Sequence, residues 1–117
     1  MAWEVEFTDE FGNWWNGLTE EEQITIRAKV LLLEKYGPTL PRPHADVIHG
    51  SHYPNLKELR AQHGGHPYRV LFIFDPKRVA VLLIGGDKTG NDRWYEEYVP
   101  KAEKIYARYL AETGQGG

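Results

Sequence analysis

Residues 56–94 read LKELRAQHGGHPYRVLFIFDPKRVAVLLIGGDKTGNDRW, and their pattern decides how the chain folds. Three short apolar segments follow one another with turn chemistry between them. Leu56 to Gln62 is the first; His63-Gly64-Gly65-His66 turns the chain. Pro67 to Asp75 is the second, rich in the aromatic and β-branched residues that suit a pleated, half-buried surface. Asp75-Pro76-Lys77-Arg78 turns again, and Val79 to Ile84 is the third, closed by Gly85-Gly86. Turns this short join antiparallel neighbours, so the stretch predicts a meander. Alternation along the middle segment places Tyr68, Val70, Phe72 and Phe74 on one face and Arg69, Leu71 and Ile73 on the other. On the first segment Glu58 and Arg60 share a face, and Leu59 lies opposite. Lys88 follows the third. Arg60, Arg69 and Lys88 therefore converge on one side of the sheet if the register allows it, and register is set by pairing, not by composition.

Working outward, Trp3 to Phe7 alternates apolar and acidic residues and predicts an edge strand guarded by Glu4 and Glu6. Thr8-Asp9-Glu10 opens a short helix whose Phe11, Trp14 and Trp15 form one stripe, ended at Gly17. Thr19 and Glu22 make a capping box for a second helix, which runs through Ile24, Ala28, Leu31 and Leu32 to Tyr36 and stops at Gly37-Pro38. This helical hairpin is suited to cover one sheet face. Residues 37–55 form a loop with extended pieces, four prolines and the histidines His44, His49 and His52. A metal reading of these histidines is weaker than that of exposed loop residues, because nothing fixes their spacing. Beyond the sheet, Asn91 or Asp92 is a candidate cap for a last helix carrying Tyr95, Tyr98, Val99, Ala102, Ile105, Tyr106, Tyr109 and Leu110 at helical rhythm. Pro100 predicts a kink or two short helices, and the tyrosines read as packing residues with wet hydroxyls.

The 117 residues make one domain, residues 1–112, with a flexible tail at 113–117. Charged residues at 26% and apolar ones at 41% place it in the globular range, not the disordered one. No apolar run approaches the ~20 residues that span a bilayer, and the acidic start MAWEVEFTDEF lacks the apolar core of a signal peptide. Zero cysteines exclude disulfides and thiolate chemistry and fit a cytoplasmic protein. The net charge of −3 is unevenly spread. Residues 1–55 hold four Lys/Arg against nine Asp/Glu, residues 56–95 seven against four, and residues 96–117 three against four. The basic part is the sheet with its turns, a local surface able to meet phosphate on an acidic molecule. Its plain alternative is a solvated mixed surface. The Gly85–Gly90 segment lacks Walker spacing and reads as a strand-to-helix turn.

The order of elements, together with Leu56-Lys57-Glu58-Leu59-Arg60, Tyr68-Arg69-Val70-Leu71-Phe72, and Val81-Leu82-Leu83 followed by Gly86-Asp87-Lys88-Thr89, resembles the RelE superfamily of toxins, in its phage-derived HigB-like branch. The resemblance implies an α+β fold: an N-terminal strand and a helix hairpin packed on a small antiparallel sheet, with a C-terminal helix. It further implies the toxin of a type II toxin–antitoxin system, a cytoplasmic, ribosome-dependent mRNA endonuclease needing no metal or other cofactor, with an antitoxin of helix-turn-helix type, mRNA and the ribosome as partners and no membrane. The antitoxin would wrap the acidic N-terminal helices or cover the basic face. Carried over by position, Arg60 and Arg69 would hold the phosphate and Lys88 would neutralise charge or exchange a proton. Lys57, His63, His66, Arg93 and Tyr95 would contact RNA, with Tyr98 a second candidate for base stacking; His63 and His66, in a turn at the edge of the basic face, are also candidates for general acid or base. Only one lysine stands where RelE carries a pair. That departure keeps a second reading open: a RelE-fold module that binds an antitoxin-like partner or RNA without cutting. A small-molecule enzyme built on the loop histidines is a third.

Overall fold

A computed structural model describes residues 2–114 and places their elements in three layers. In chain order these are β1 (Glu4–Phe7), α1 (Asp9–Asn16), α2 (Glu20–Tyr36), a 3-10 turn (Gly37–Thr39), β2 (Ala45–Val47), β3 (Leu56–His63), β4 (His66–Asp75), β5 (Val79–Asp87) and α3 (Trp94–Glu112). The sheet order is β1-β5-β4-β3-β2. β2 to β5 pair antiparallel, as the turns predict. β1 joins β5 in parallel, Glu4 opposite Val79, so the sheet is mixed rather than wholly antiparallel.

Both helix starts of the hairpin follow from their caps. The Thr8 hydroxyl accepts from the Phe11 N–H and donates to the Leu83 carbonyl at 2.6 Å, tying α1 to the sheet. Thr19 and Glu22 complete the reciprocal capping box. The hairpin packs on the face of Leu59, Ala61, Tyr68, Val70, Phe72, Ala80 and Leu82. α2 contributes Ile26 and Leu33 there, whereas Ile24 and Leu31 are 62% and 50% exposed. Its apolar residues are too dispersed around the helix for their spacing alone to name the packed stripe. α3 packs on the other face, against Leu56, Leu71, Ile73, Val79, Val81 and Leu83.

Three expectations need correcting. β5 does not end at Ile84 but runs through Gly85-Gly86 to Asp87. A Cβ on Gly85 would lie 2.3 Å from the Trp14 ring, and one on Gly86 would lie 2.8 Å from Trp94 Nε1. The glycines are there so that one indole can lie on each side of the strand. α3 starts at Trp94 with Arg93 as N-cap, and the Asn91 side chain accepts from the Arg93 N–H instead of capping the helix. The helix also passes Pro100 without breaking. Pro100 and Glu96 are both exposed, so the carbonyl the proline leaves without a donor can face water. One of the extended pieces expected in the loop of residues 37–55 is a strand, β2, which extends the sheet beyond β3. Of the expected tail, Thr113 and Gly114 close the last turn of α3 through bonds to Tyr109 and Ala111, and 115–117 lie outside the described residues.

Candidate functional site

Register brings the strand arginines together. Arg60 on β3 is the direct partner of Arg69 on β4, and Arg69 is in turn opposite Gly86 on β5. All three positions lie on the α3 face. Lys88 reaches that face through an irregularity. Leu71 pairs with Ile84 but Phe72 pairs with Leu82, so β5 carries one extra residue. Counted by strict alternation from Val79, Lys88 would point with Ala80 and Leu82 toward the helix hairpin. The bulge reverses that parity. The Lys88 N–H donates to the Pro67 carbonyl at 2.8 Å, fixing its start, and its ammonium lies 5.2 Å from the centre of the Tyr95 ring.

The centre of the group is Glu58, 3% exposed. Its carboxylate accepts from the Tyr95 hydroxyl at 2.6 Å and faces Arg60 Nε at 3.3 Å and Arg69 Nε at 3.4 Å. Arg69 also bonds the Tyr95 oxygen at 3.3 Å and the Tyr68 carbonyl at 3.0 Å. Burial, and then the bond to Glu58, raise the Tyr95 phenol above its ordinary pKa and keep it a donor. Burial alone would depress Arg60, but the charge of Glu58 and the Tyr95 contact leave it above its usual value. Two guanidiniums, an ammonium and one carboxylate leave the cluster with a net positive charge in a half-buried setting, where a bound anion is weakly screened.

The other candidates fall elsewhere. Lys57 alternates to the hairpin face, its Nζ 5.8 Å from the Phe74 ring centre. His63 and His66 are also on that face, not at the edge of the basic one. His63 bonds Thr25 at 3.0 Å, and His66 Nδ1 meets Thr89 at 2.9 Å and Asp87 at 3.1 Å. Arg93 is exposed and paired with Glu96. Tyr98 stacks on Trp94, ring centres 4.3 Å apart, inside the α3 packing. The tyrosine hydroxyls are not all wet: Tyr95 holds Glu58 and Tyr109 donates to Glu6 at 2.8 Å.

The three loop histidines diverge. His44 meets Lys29 at 2.9 Å, His49 is exposed, and the His52 N–H donates to Glu103. Among the described residues no group of three or more His, Cys, Asp or Glu is placed to hold a metal ion, and no helix is long and apolar enough to cross a membrane. The sequence offers Glu58 or Asp87 as a plain partner for Arg60, but not Glu58 as the organiser that also holds Arg69 and Tyr95. Its signal was present as an acidic residue on the face of Arg60, one strand away from Arg69.

A cleft of about 320 Å³ opens beside the cluster between β2 and α3, bounded by Asp46, Val47, Ile48, Val99, Arg60 and Tyr95 among others.

The model of the phage-derived Gp49-like protein family matches residues 13–107. Over 105 residues the chain is 42% identical to a Mycobacterium tuberculosis protein named toxin HigB3, a match spanning 89% of this chain and 90% of that one. Among solved structures, the isolated RelE toxin of E. coli superposes with a TM-score of 0.63 at 14% identity, covering 83% of this chain and 96% of RelE. The E. coli RelBE toxin–antitoxin complex gives 0.58 at 15% identity, covering 73% and 95%. At those identities the two structures speak for the fold alone.

Proposed function

The chain belongs to the phage-derived Gp49-like family, within the RelE superfamily of toxins, and from that membership we propose that it is the toxin of a type II toxin–antitoxin system and acts as an endoribonuclease on translated mRNA. The observation that supports cutting, rather than mere membership, is the meeting of Arg60, Arg69 and Lys88 around Tyr95 on one face of the sheet. In this reading the RNA 2′-hydroxyl attacks the adjacent phosphorus. A P–O bond forms, the P–O5′ bond breaks, and a 2′,3′-cyclic phosphate and a 5′-hydroxyl result. Negative charge grows on the non-bridging oxygens, where preorganised cations stabilise it. Arg60 and Arg69 approach Glu58 through Nε, and Arg69 Nη1 also donates to the Tyr68 carbonyl, so Arg69 Nη2 and the Nη end of Arg60 are the donors a phosphate would take. Lys88 lies where it can neutralise the leaving oxygen or hand it a proton. The reading includes a helix-turn-helix antitoxin that silences the chain and a ribosome that presents the RNA.

Induction of the chain without antitoxin is expected to arrest growth and to generate new mRNA ends. Arg69→Ala or Lys88→Ala should each reduce cleavage roughly 10²–10³-fold, the range for losing one transition-state donor. Unaltered mRNA ends, or arrest that survives both substitutions, would overturn the proposal. One observation favours the second reading, a binder without catalysis: Glu58 already engages both guanidiniums. RNA that is retained but uncut in the same experiment would support it.

A further inference from the structure

Resting on the ribonuclease reading, we propose that the cleft beside the cation cluster is a nucleobase subsite that selects guanine next to the phosphate being cut. The proline-rich loop, which the phosphate chemistry leaves unused, builds its outer wall. β2 pairs with β3 so that Asp46 is opposite Glu58, which puts the Asp46 side chain on the face of Glu58 and Arg60. Arg60 and Tyr95 line the cleft and also belong to the cluster. A nucleotide gripped there by its phosphate would have its base at the cleft's mouth. The walls suit a flat, largely apolar ring. Ile48 and Val99 flank the space, and Tyr95 offers an aromatic side. The volume, about 320 Å³, is of the size that takes a small ligand.

Asp46 decides which base. Its Oδ1 accepts from the Val47 N–H at 2.8 Å, which fixes the carboxylate's direction. Its Oδ2 faces Arg42 at 3.4 Å, but the Arg42 side chain is 71% exposed, and such surface pairs are easily exchanged. A carboxylate only accepts, and each oxygen has room for a second donor. Guanine presents two adjacent donors, N1–H and the N2 amino group, which match a carboxylate. Adenine and cytosine offer one amino group beside a ring acceptor, and uracil sets its single N–H between two carbonyl oxygens that a carboxylate repels.

The test is binding of the four nucleoside 3′-monophosphates and of inorganic phosphate to the full chain, followed by methyl and arginine Nε–H NMR. The 3′-guanylate should shift Ile48 and Val99 methyls together with Arg60 and Arg69, and bind roughly tenfold more tightly than 3′-uridylate. Asp46→Asn should reduce that preference to less than about threefold, and Arg42→Ala, which frees Oδ2, should not reduce it. Equal affinities for all four nucleotides, with shifts confined to Arg60, Arg69 and Lys88, would overturn the guanine subsite and leave the phosphate site standing. No response from either group of signals would overturn both.

Discussion

Replacing Glu58 by Gln tests whether one carboxylate organises the cluster. The substitution keeps the side chain's shape and an oxygen that can accept from Tyr95, but it withdraws the charge that faces two arginines. The Glu58 side chain is 4% exposed, Arg69 14% and Arg60 28%. Removing one partner of a fully buried pair costs about 3–5 kcal/mol. Partial solvation of the arginines screens the loss, and the retained acceptor softens it, so we expect about 2–3 kcal/mol. For a chain of this length, at about 4 °C per kcal/mol, the melting temperature should fall by roughly 10 °C. The same change raises the positive charge of the site, so added sulfate should recover more stability in Glu58→Gln than in the parent. Thermal unfolding with and without sulfate at constant ionic strength measures both quantities. A melting temperature unchanged by the substitution would refute the view of Glu58 as the organising counter-charge. A fall that sulfate does not touch would refute the view that the released arginines form an anion site.

Three other perturbations have defined outcomes. Gly86→Ala drives a methyl against Trp94 and Tyr98 and should cost about 1–3 kcal/mol in urea unfolding, with cleavage falling further than stability because Tyr95 and Lys88 shift with α3 and β5; a neutral result would mean the indole has room to move. Thr19→Ala removes the capping box of α2 and should cost about 0.5–2 kcal/mol without changing cleavage by the folded protein. The Tyr68 hydroxyl donates to Glu22, which pushes the phenol up to about 12 and, through the same bond, holds Glu22 below the ordinary carboxylate value. A raised phenol stabilises the fold below its unfolded pKa of about 10 and loses that contribution as pH rises to about 12. The lowered carboxylate contributes above its unfolded value and loses that as pH falls through the folded one. Tyr68→Phe should therefore flatten both limbs of stability against pH, and identical limbs in the two proteins would contradict the coupling.

The meander was legible because its residues carry their own instructions. Gly64-Gly65 and Asp75–Arg78 supply turns, and the alternation at Tyr68–Phe74 separates two faces that the structure keeps separate. Caps at Thr8 and Thr19 could be read because a hydroxyl and an N–H three residues away are local partners. β2 could be read only as an extended piece of a loop: three residues among prolines become a strand because β3 offers them an edge. The parallel pairing of β1 with β5 joins residues some 75 positions apart and leaves no local trace.

By itself, then, the sequence determined the kinds of elements, the order in which they come, and the three cations on or beside consecutive strands, because these depend on propensities and partners within a few residues. Tertiary structure decided which of them meet. Pairing register set Arg60 opposite Arg69, a single extra residue in β5 turned Lys88 to the same side, and the packing of Trp94 against Gly86 delivered Tyr95 to Glu58. Side-chain direction in a sheet changes sign with every residue of register. A site assembled from three strands and a helix is therefore fixed only when all their pairings are.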